Sequence, residues 1–222
     1  MSDRTLPPRA SLTAVRAAAN GDALVDPPRP CALQHRIEAA QYDVARDRVR
    51  GLAQLNKLFR EGTFPREPLD GPTRGQMVAA DVLPLVTPPV ARLITTTKPW
   101  LGKVFDAEAE CGTNLLTPAF VAVCSVLLRD YRGFRPAGDD AFSGFTFRTY
   151  AGQGSQDADR RVLKIDYDRP ENPPVIRRIL DELVQVDDDY YLGKAHFQLT
   201  ATRWHLLFYF ALQRRAPGPR GQ

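Results

Sequence analysis

Three cysteines in 222 residues, Cys31, Cys111 and Cys124, are too few and too scattered for a disulfide scaffold. They form no CxxC pair, so a zinc site is not expected, and their scarcity fits a reducing cytoplasm. Long apolar runs are also missing. The N-terminal "MSDRTLPPRASLTAVRAAANG" has no signal-peptide core. No segment approaches the ~20 apolar residues of a membrane-spanning helix. The most apolar stretch, "WHLLFYFAL" (204–212), has the length of a strand. Dense basic blocks are absent as well. The net charge is +4 and the acids are interspersed, so nothing in the charge pattern points to nucleic acid. No phosphate loop, dinucleotide fingerprint, nucleophile elbow or zinc-protease motif occurs. "GQGSQ" (152–156) holds glycines but precedes a strand rather than a helix. The expectation is a cytoplasmic protein with no membrane span, no resident cofactor and no metal; oligomeric state is not legible.

What is present divides unevenly along the chain. Residues 1–30 are rich in Pro, Arg and Ala and read as a loose tail with a helical turn at 11–19. Residues 31–60 contain no proline, and Leu33, Ile37, Ala40, Val44, Val49, Leu52, Leu55 and Phe59 recur at helical spacing. This predicts one long amphipathic helix, or two broken near Gly51. From 61 to 216, prolines and glycines punctuate short extended segments. A short helix is expected at 89–97. "AFVAVCSVLLRDY" (119–131) is apolar throughout, and Val121, Val123 and Val126 favour a strand there. "FSGFTFRTYAG" (142–152) and "RRVLKIDYD" (160–168) alternate and predict a hairpin. In "ENPPVIRRILDEL", Asn172 or Pro173 opens a helix over 174–183 whose apolar stripe is Ile176, Ile179, Leu180 and Leu183. Further strands follow closely to residue 216, and 217–222 form a flexible end. Such a meander closes into a barrel or packs on another layer. The fold class predicted is mainly β: an antiparallel β-barrel with an N-terminal helical extension.

Several blocks carry a family resemblance. "VLKIDYDRPENPPVIRRILDELVQVDDDYYLGKAHF…WHLLFYFALQRR" resembles the C-terminal domain usually paired with the GXWXG domain. "PWLGKVFDAE" (99–108) resembles that family's "WYGKRF" block, with Trp100, Gly102, Lys103 and Phe105 in place. "REGTFPREPLDG" (60–71) lies where the opening Gly-x-Trp-x-Gly falls, with Phe64 and Pro65 replacing the Trp and its successor. The resemblance spans roughly 60–215. It implies a compact lipocalin-like (calycin-type) barrel and supports a fold more than a function.

The stretch "KIDYDRPENP" (164–173) poses the sharpest chemical question. On a strand, Leu163, Ile165 and Tyr167 share one face, while Lys164, Asp166 and Asp168 share the other. The charged face is either a solvated wall or a polar lumen. In a lumen, Asp166 beside Lys164 would form a proton-transfer pair; Asp168, Glu171 and Asn172 fall at the strand end and cap the helix expected next. If "LTAT" (199–202) is a tight turn, His196 and His205 pair across two strands, where they could share a proton, hold a metal or ligate haem. A register slip of one residue separates them. Aromatics crowd the C-terminal third. Trp204, Leu206, Phe208, Phe210 and Leu212 line one face of the last strand, with His205 and Tyr209 on the other. Trp100 and Lys103 suggest a barrel-closing plug.

These patterns predict a barrel that holds a small, largely apolar molecule. Trp100, Tyr150, Tyr167, Tyr191, Trp204 and Tyr209 are the ligand-contacting candidates. The alternatives are a cofactor-independent isomerase, cyclase or hydratase using Asp166, Lys164, His196 and His205, and a structural or partner-binding barrel with no ligand.

Overall fold

The structure, a computed structural model, describes residues 32–80, 100–138 and 140–214. The tail at 1–30 with its turn at 11–19, the helix expected at 89–97 and the end at 217–222 lie outside the described residues. The helical extension is a hairpin of two helices, α1 (Ala32–Arg46) and α2 (Arg48–Glu61). The break falls at Asp47, whose side chain caps α2 by accepting from the Arg50 N–H. Gly51 lies inside α2 instead of at the break. A β-carbon there would stand 2.3 Å from the Val44 nitrogen, so the glycine lets the two helices touch.

Nine strands come next: β1 (Gly71–Ala80), β2 (Trp100–Asp106), β3 (Cys111–Leu116), β4 (Arg135–Pro136), β5 (Phe142–Gln153), β6 (Arg161–Asp166), β7 (Ile179–Asp187), β8 (Tyr190–Gln198) and β9 (Trp204–Arg214). Eight of them, all but the two-residue β4, form a closed antiparallel barrel. Each pairs with its neighbour in sequence, β3 pairs with β5, and β9 returns to β1. A third helix, α3 (Pro118–Leu127), lies between β3 and β4. The mainly-β class and the N-terminal helical extension are thus what forms.

Two local expectations are corrected. The apolar run at 119–131 is mostly helix, because Thr117 accepts from the Phe120 N–H and Pro118 sits in the first turn, two start signals that outweigh the valines. The helix expected at 174–183 is only a 3₁₀ turn, Ile176–Arg178, followed directly by β7. β7 is buried on both faces, with Leu180 and Val184 outward and Leu183 inward. Apolar residues on both faces of a strand reproduce helical spacing by coincidence. Asp168, Glu171 and Asn172 consequently cap no α-helix. Asn172 instead donates to the carbonyls of Thr146 and Tyr167.

Two apolar clusters hold the molecule together. One lies inside the barrel, with Phe105, Phe147, Ile165, Leu183, Tyr191, Phe210 and Leu212 among its members and Val121 and Cys124 of α3 joined to it. The other lies between the outer barrel wall and the helical hairpin, joining Ile37, Leu55, Leu58 and Phe59 to Val184, Leu192, Tyr209 and Ala211. Burying Leu55 and Phe59 completely stabilises the docking by about 1.5–3 kcal/mol each. The α1–α2 spacing therefore exists to cover one outer face of the barrel.

Candidate functional site

The barrel has two unlike ends. At one, short links join β2 to β3, β5 to β6 and β7 to β8. At the other gather the end of β1 at Ala80, the start of β2 at Trp100, the α3 segment, the 167–178 turn and the 199–203 loop. Half-buried apolar side chains, Trp100, Phe120, Ile176, Ile179, Leu207 and Phe208, lie around this second end.

Just inside it, four strands bring polar groups together. Lys103 of β2 points into the barrel, and its Nζ lies 2.9 Å from Asp181 Oδ2 of β7 and 2.9 Å from Asn114 Oδ1 of β3. It also donates to the hydroxyl of Tyr167, which lies just past β6. The Tyr167 hydroxyl is 3.2 Å from Asp181 Oδ2 and 3.1 Å from Asn114 Oδ1. Trp100 Nε1 donates to the same Asn114 oxygen at 3.1 Å. Four rings surround the ammonium: Tyr167, Phe147, Trp100 and Phe210 have centroids 5.0–5.5 Å from Nζ. Their π-faces favour a cation there.

The backbone sets this geometry. Gly102, with φ +144°, occupies a conformation few side chains adopt, and a β-carbon there would lie 2.1 Å from the Thr73 carbonyl oxygen. This close approach lets β2 deliver Lys103 inward. Gly193 of β8 faces Phe210, where a β-carbon would meet the ring at 2.2 Å, so its absence makes room for the cage. Phe145 takes the left-handed conformation, φ 54°, at a bulge between β3 and β5. Its carbonyl accepts from Asn114 Nδ2 and its N–H donates to the Tyr131 hydroxyl. The bulge thereby turns the Asn114 oxygen toward Lys103, Tyr167 and Trp100.

Burial shapes the ionisation of these groups. It pulls the Lys103 ammonium below its ordinary range, and Asp181 opposes that shift. Burial also lifts the Asp181 carboxyl, against the pull of Lys103. The Tyr167 phenol is pushed well up, first by burial and then by the Asp181 charge, so it stays a proton donor.

The residues proposed as catalytic from sequence do not meet inside the barrel. Lys164 and Asp166 are on the outer wall, because Ile165 and Tyr167 take the interior face. Lys164 Nζ binds Glu182 Oε1 at 2.5 Å and Ser155 Oγ at 3.0 Å. Asp166 accepts from Arg148 at 2.7 Å and 3.0 Å. The alternation of this stretch was legible, but its charged face is the outside of the barrel. His196 and His205 do not pair either. A bulge after Ala195 sets His196 opposite Leu206 and Phe197 opposite His205, the one-residue slip that separates them. His196 is fully buried, and neither ring nitrogen has a hydrogen-bond partner among the described residues. Burial lowers its pKa to about 4.

Of the aromatic candidates, Trp100, Tyr167 and Tyr191 belong to the interior cluster. Tyr209 faces outward under the helices, and Tyr150, 41% exposed, reaches Asp166 on the outer wall. Trp204 stands opposite Gln198 at the rim. The same bulge splits the face expected on β9: Leu206 packs outside, and Phe208, Phe210 and Leu212 pack inside. Sequence reasoning missed Asn114 and Asp181. The available signal was "LDEL" (180–183), where one acid must face each side of a strand buried on both.

A second polar cluster fastens the helices to the wall. Lys194 binds Asp157 Oδ2 at 2.5 Å and Asn56 Oδ1 at 2.6 Å, and Arg60 binds Asp157 and Asp159 at 2.8 Å. Among the described residues, Lys103, Lys164 and Lys194 are thus buried against a carboxylate, and of these three only Lys103 lies inside the barrel.

Fold and site together define a closed eight-stranded antiparallel barrel with a charged, aromatic-lined centre. No family model matches the chain, and no curated protein matches it. Among solved structures, a crystal structure of a protein from Thermomonospora curvata is similar at 15% identity and a TM-score of 0.44, covering 80% of this chain and 99% of that one. Among the described residues no helix is long and apolar enough to cross a membrane.

Proposed function

We propose that the barrel holds one small, largely apolar molecule, admitted at the end ringed by Trp100, Ile179 and Phe208, with a single polar group that meets Lys103 and Tyr167. The observation that carries this reading is the convergence of Lys103, Tyr167 and Asp181 on one point inside an otherwise apolar barrel. A buried ion pair contributes little to stability compared with apolar side chains of the same size. Perturbed titratable groups inside an apolar wall are the usual mark of a binding site. The resemblance to the GXWXG-type family belongs to the same proposal, since its "PWLGKVF" block supplies both Trp100 and Lys103.

A catalytic reading has one observation in its favour. Tyr167 and Asp181 would act as acid and base on the bound molecule, in place of the outward-facing Asp166 and Lys164, the separately buried His196, and His205, which stands opposite Phe197 near the rim. Native mass spectrometry of the purified protein, offered a mixed metabolite extract, tests the binding reading. Uptake of one small molecule, with a change in Trp100 emission in the Trp204→Phe protein, is expected. No uptake and an unchanged Trp100 would leave a barrel filled by its own aromatics.

A further inference from the structure

The polar centre of the barrel contains an amine, an acid and a base in direct contact, an arrangement that does more than hold a polar group. We infer that Lys103 is a carbonyl-capturing amine, and that the molecule held in the barrel is an aldehyde or ketone bound to it as an imine. This rests on the interior-binding reading above and names the chemical class of its ligand.

The geometry supplies each step. The Lys103 ammonium passes a proton to Asp181, 2.9 Å away, leaving a neutral amine and a carboxylic acid. The nitrogen lone pair attacks the carbonyl carbon. The Tyr167 hydroxyl gives its proton to the carbonyl oxygen and recovers one from the nitrogen, forming a carbinolamine. Asp181 then protonates the carbinolamine hydroxyl, which departs as water, and a protonated imine remains beside the Asp181 carboxylate. One carbonyl and one ammonium become one iminium and one water, with no oxidant or reductant. Charge at the site is the same before and after.

Two features favour that product over an ordinary buried ion pair. The four rings around Nζ stabilise a cation of either kind, and an iminium keeps the nitrogen where the ammonium was. An iminium retains a single N–H, enough for Asp181. The Asn114 oxygen keeps its bonds from Trp100 and Tyr167. The other two buried lysines lack this combination. Lys164 meets Glu182 and Ser155 on the outer wall, and Lys194 is clamped between Asp157 and Asn56 beneath α2.

The test treats the full chain with hexanal and cyanoborohydride and locates hexyl groups by peptide mass mapping, with exposed Lys57 reporting the solution background. Hexanol, which cannot form an imine, is the competitor. Expected are labelling of Lys103 above the level at Lys57, suppression by hexanol at Lys103 alone, and a rate at Lys103 at least about tenfold lower in Asp181→Asn. The mapping needs no variant, so a poorly folded variant does not remove the test. If hexanol changes Trp100 emission but Lys103 is labelled no more than Lys57, the inference is overturned and the binding site stands. If hexanol also leaves Trp100 unchanged, both readings fall.

Discussion

The Tyr167 hydroxyl and the Asp181 carboxylate face each other at 3.2 Å inside the barrel, with the Lys103 ammonium against both. Tyr167 ends the inward face of the β6 stretch and Asp181 follows Ile179 on the inward face of β7, so the 167–178 turn sets one near the other. The contact is a product of topology. The two residues are close in sequence, and the alternation of two adjacent strands aims both at the same interior point.

The ion pair gives the first test. Asp181→Asn leaves Lys103 buried without a counter-ion and is expected to lower stability to urea by about 3–5 kcal/mol. The double variant Lys103→Met/Asp181→Leu removes both charges and should return to within about 1 kcal/mol of the original, or exceed it. Binding of small molecules should be lost in both. A loss below about 1 kcal/mol in Asp181→Asn would mean that Lys103 carries no charge to strand.

His196 predicts a pH dependence. Its folded pKa, about 4, is below the ordinary 6.5, so between these values the unfolded chain binds the proton and the folded one does not. Its contribution is fully present above pH 6.5 and is lost as pH falls toward 4, on the order of 3 kcal/mol in all. His196→Leu puts an apolar side chain among Leu180 and Leu206 and should flatten this part of the curve. Urea unfolding of both proteins at several pH values checks it; equal slopes would mean the ring is already protonated when folded.

How far the site could be read from the sequence depended on which face of each strand was buried. The β5–β6 hairpin was legible because both strands alternate cleanly, and so was the inward set Leu163, Ile165 and Tyr167. What could not be read was that the outer wall is also buried. The helical hairpin and the 154–160 loop cover it, and polar residues there find partners instead of water. Lys164, Glu182 and Lys194 look like solvated charges or lumen groups until that cover is known. Asp181 stayed hidden because β7 mimics a helix, and the histidines separated through one bulge that leaves no local mark in "KAHFQLTATRWH".

Gly102→Ala is expected to be among the most damaging single-methyl changes in the barrel. The new β-carbon meets the Thr73 carbonyl and the backbone must leave φ +144°. Strain and overpacking together cost about 2–5 kcal/mol. Because Lys103 is the next residue, the displacement should also change the emission of Trp100, which lies 5.4 Å from its Nζ. A melt superimposable on the original would show that β1 and β2 are not packed this closely.

Asp166→Ala separates the outer wall from the interior. The carboxylate accepts from Arg148, itself 53% exposed, from Tyr150 and from the Asp168 N–H, all outside the barrel. An exposed guanidinium that loses its partner is rehydrated, so the loss in stability should stay within about 1 kcal/mol. Uptake of a small molecule, and hexanal labelling at Lys103, should be unchanged. Titrating the variant and the original protein with hexanol while following Trp100 emission makes the comparison. A large loss of affinity in Asp166→Ala would place the binding surface on the charged outer face of β5 and β6 and remove the interior site.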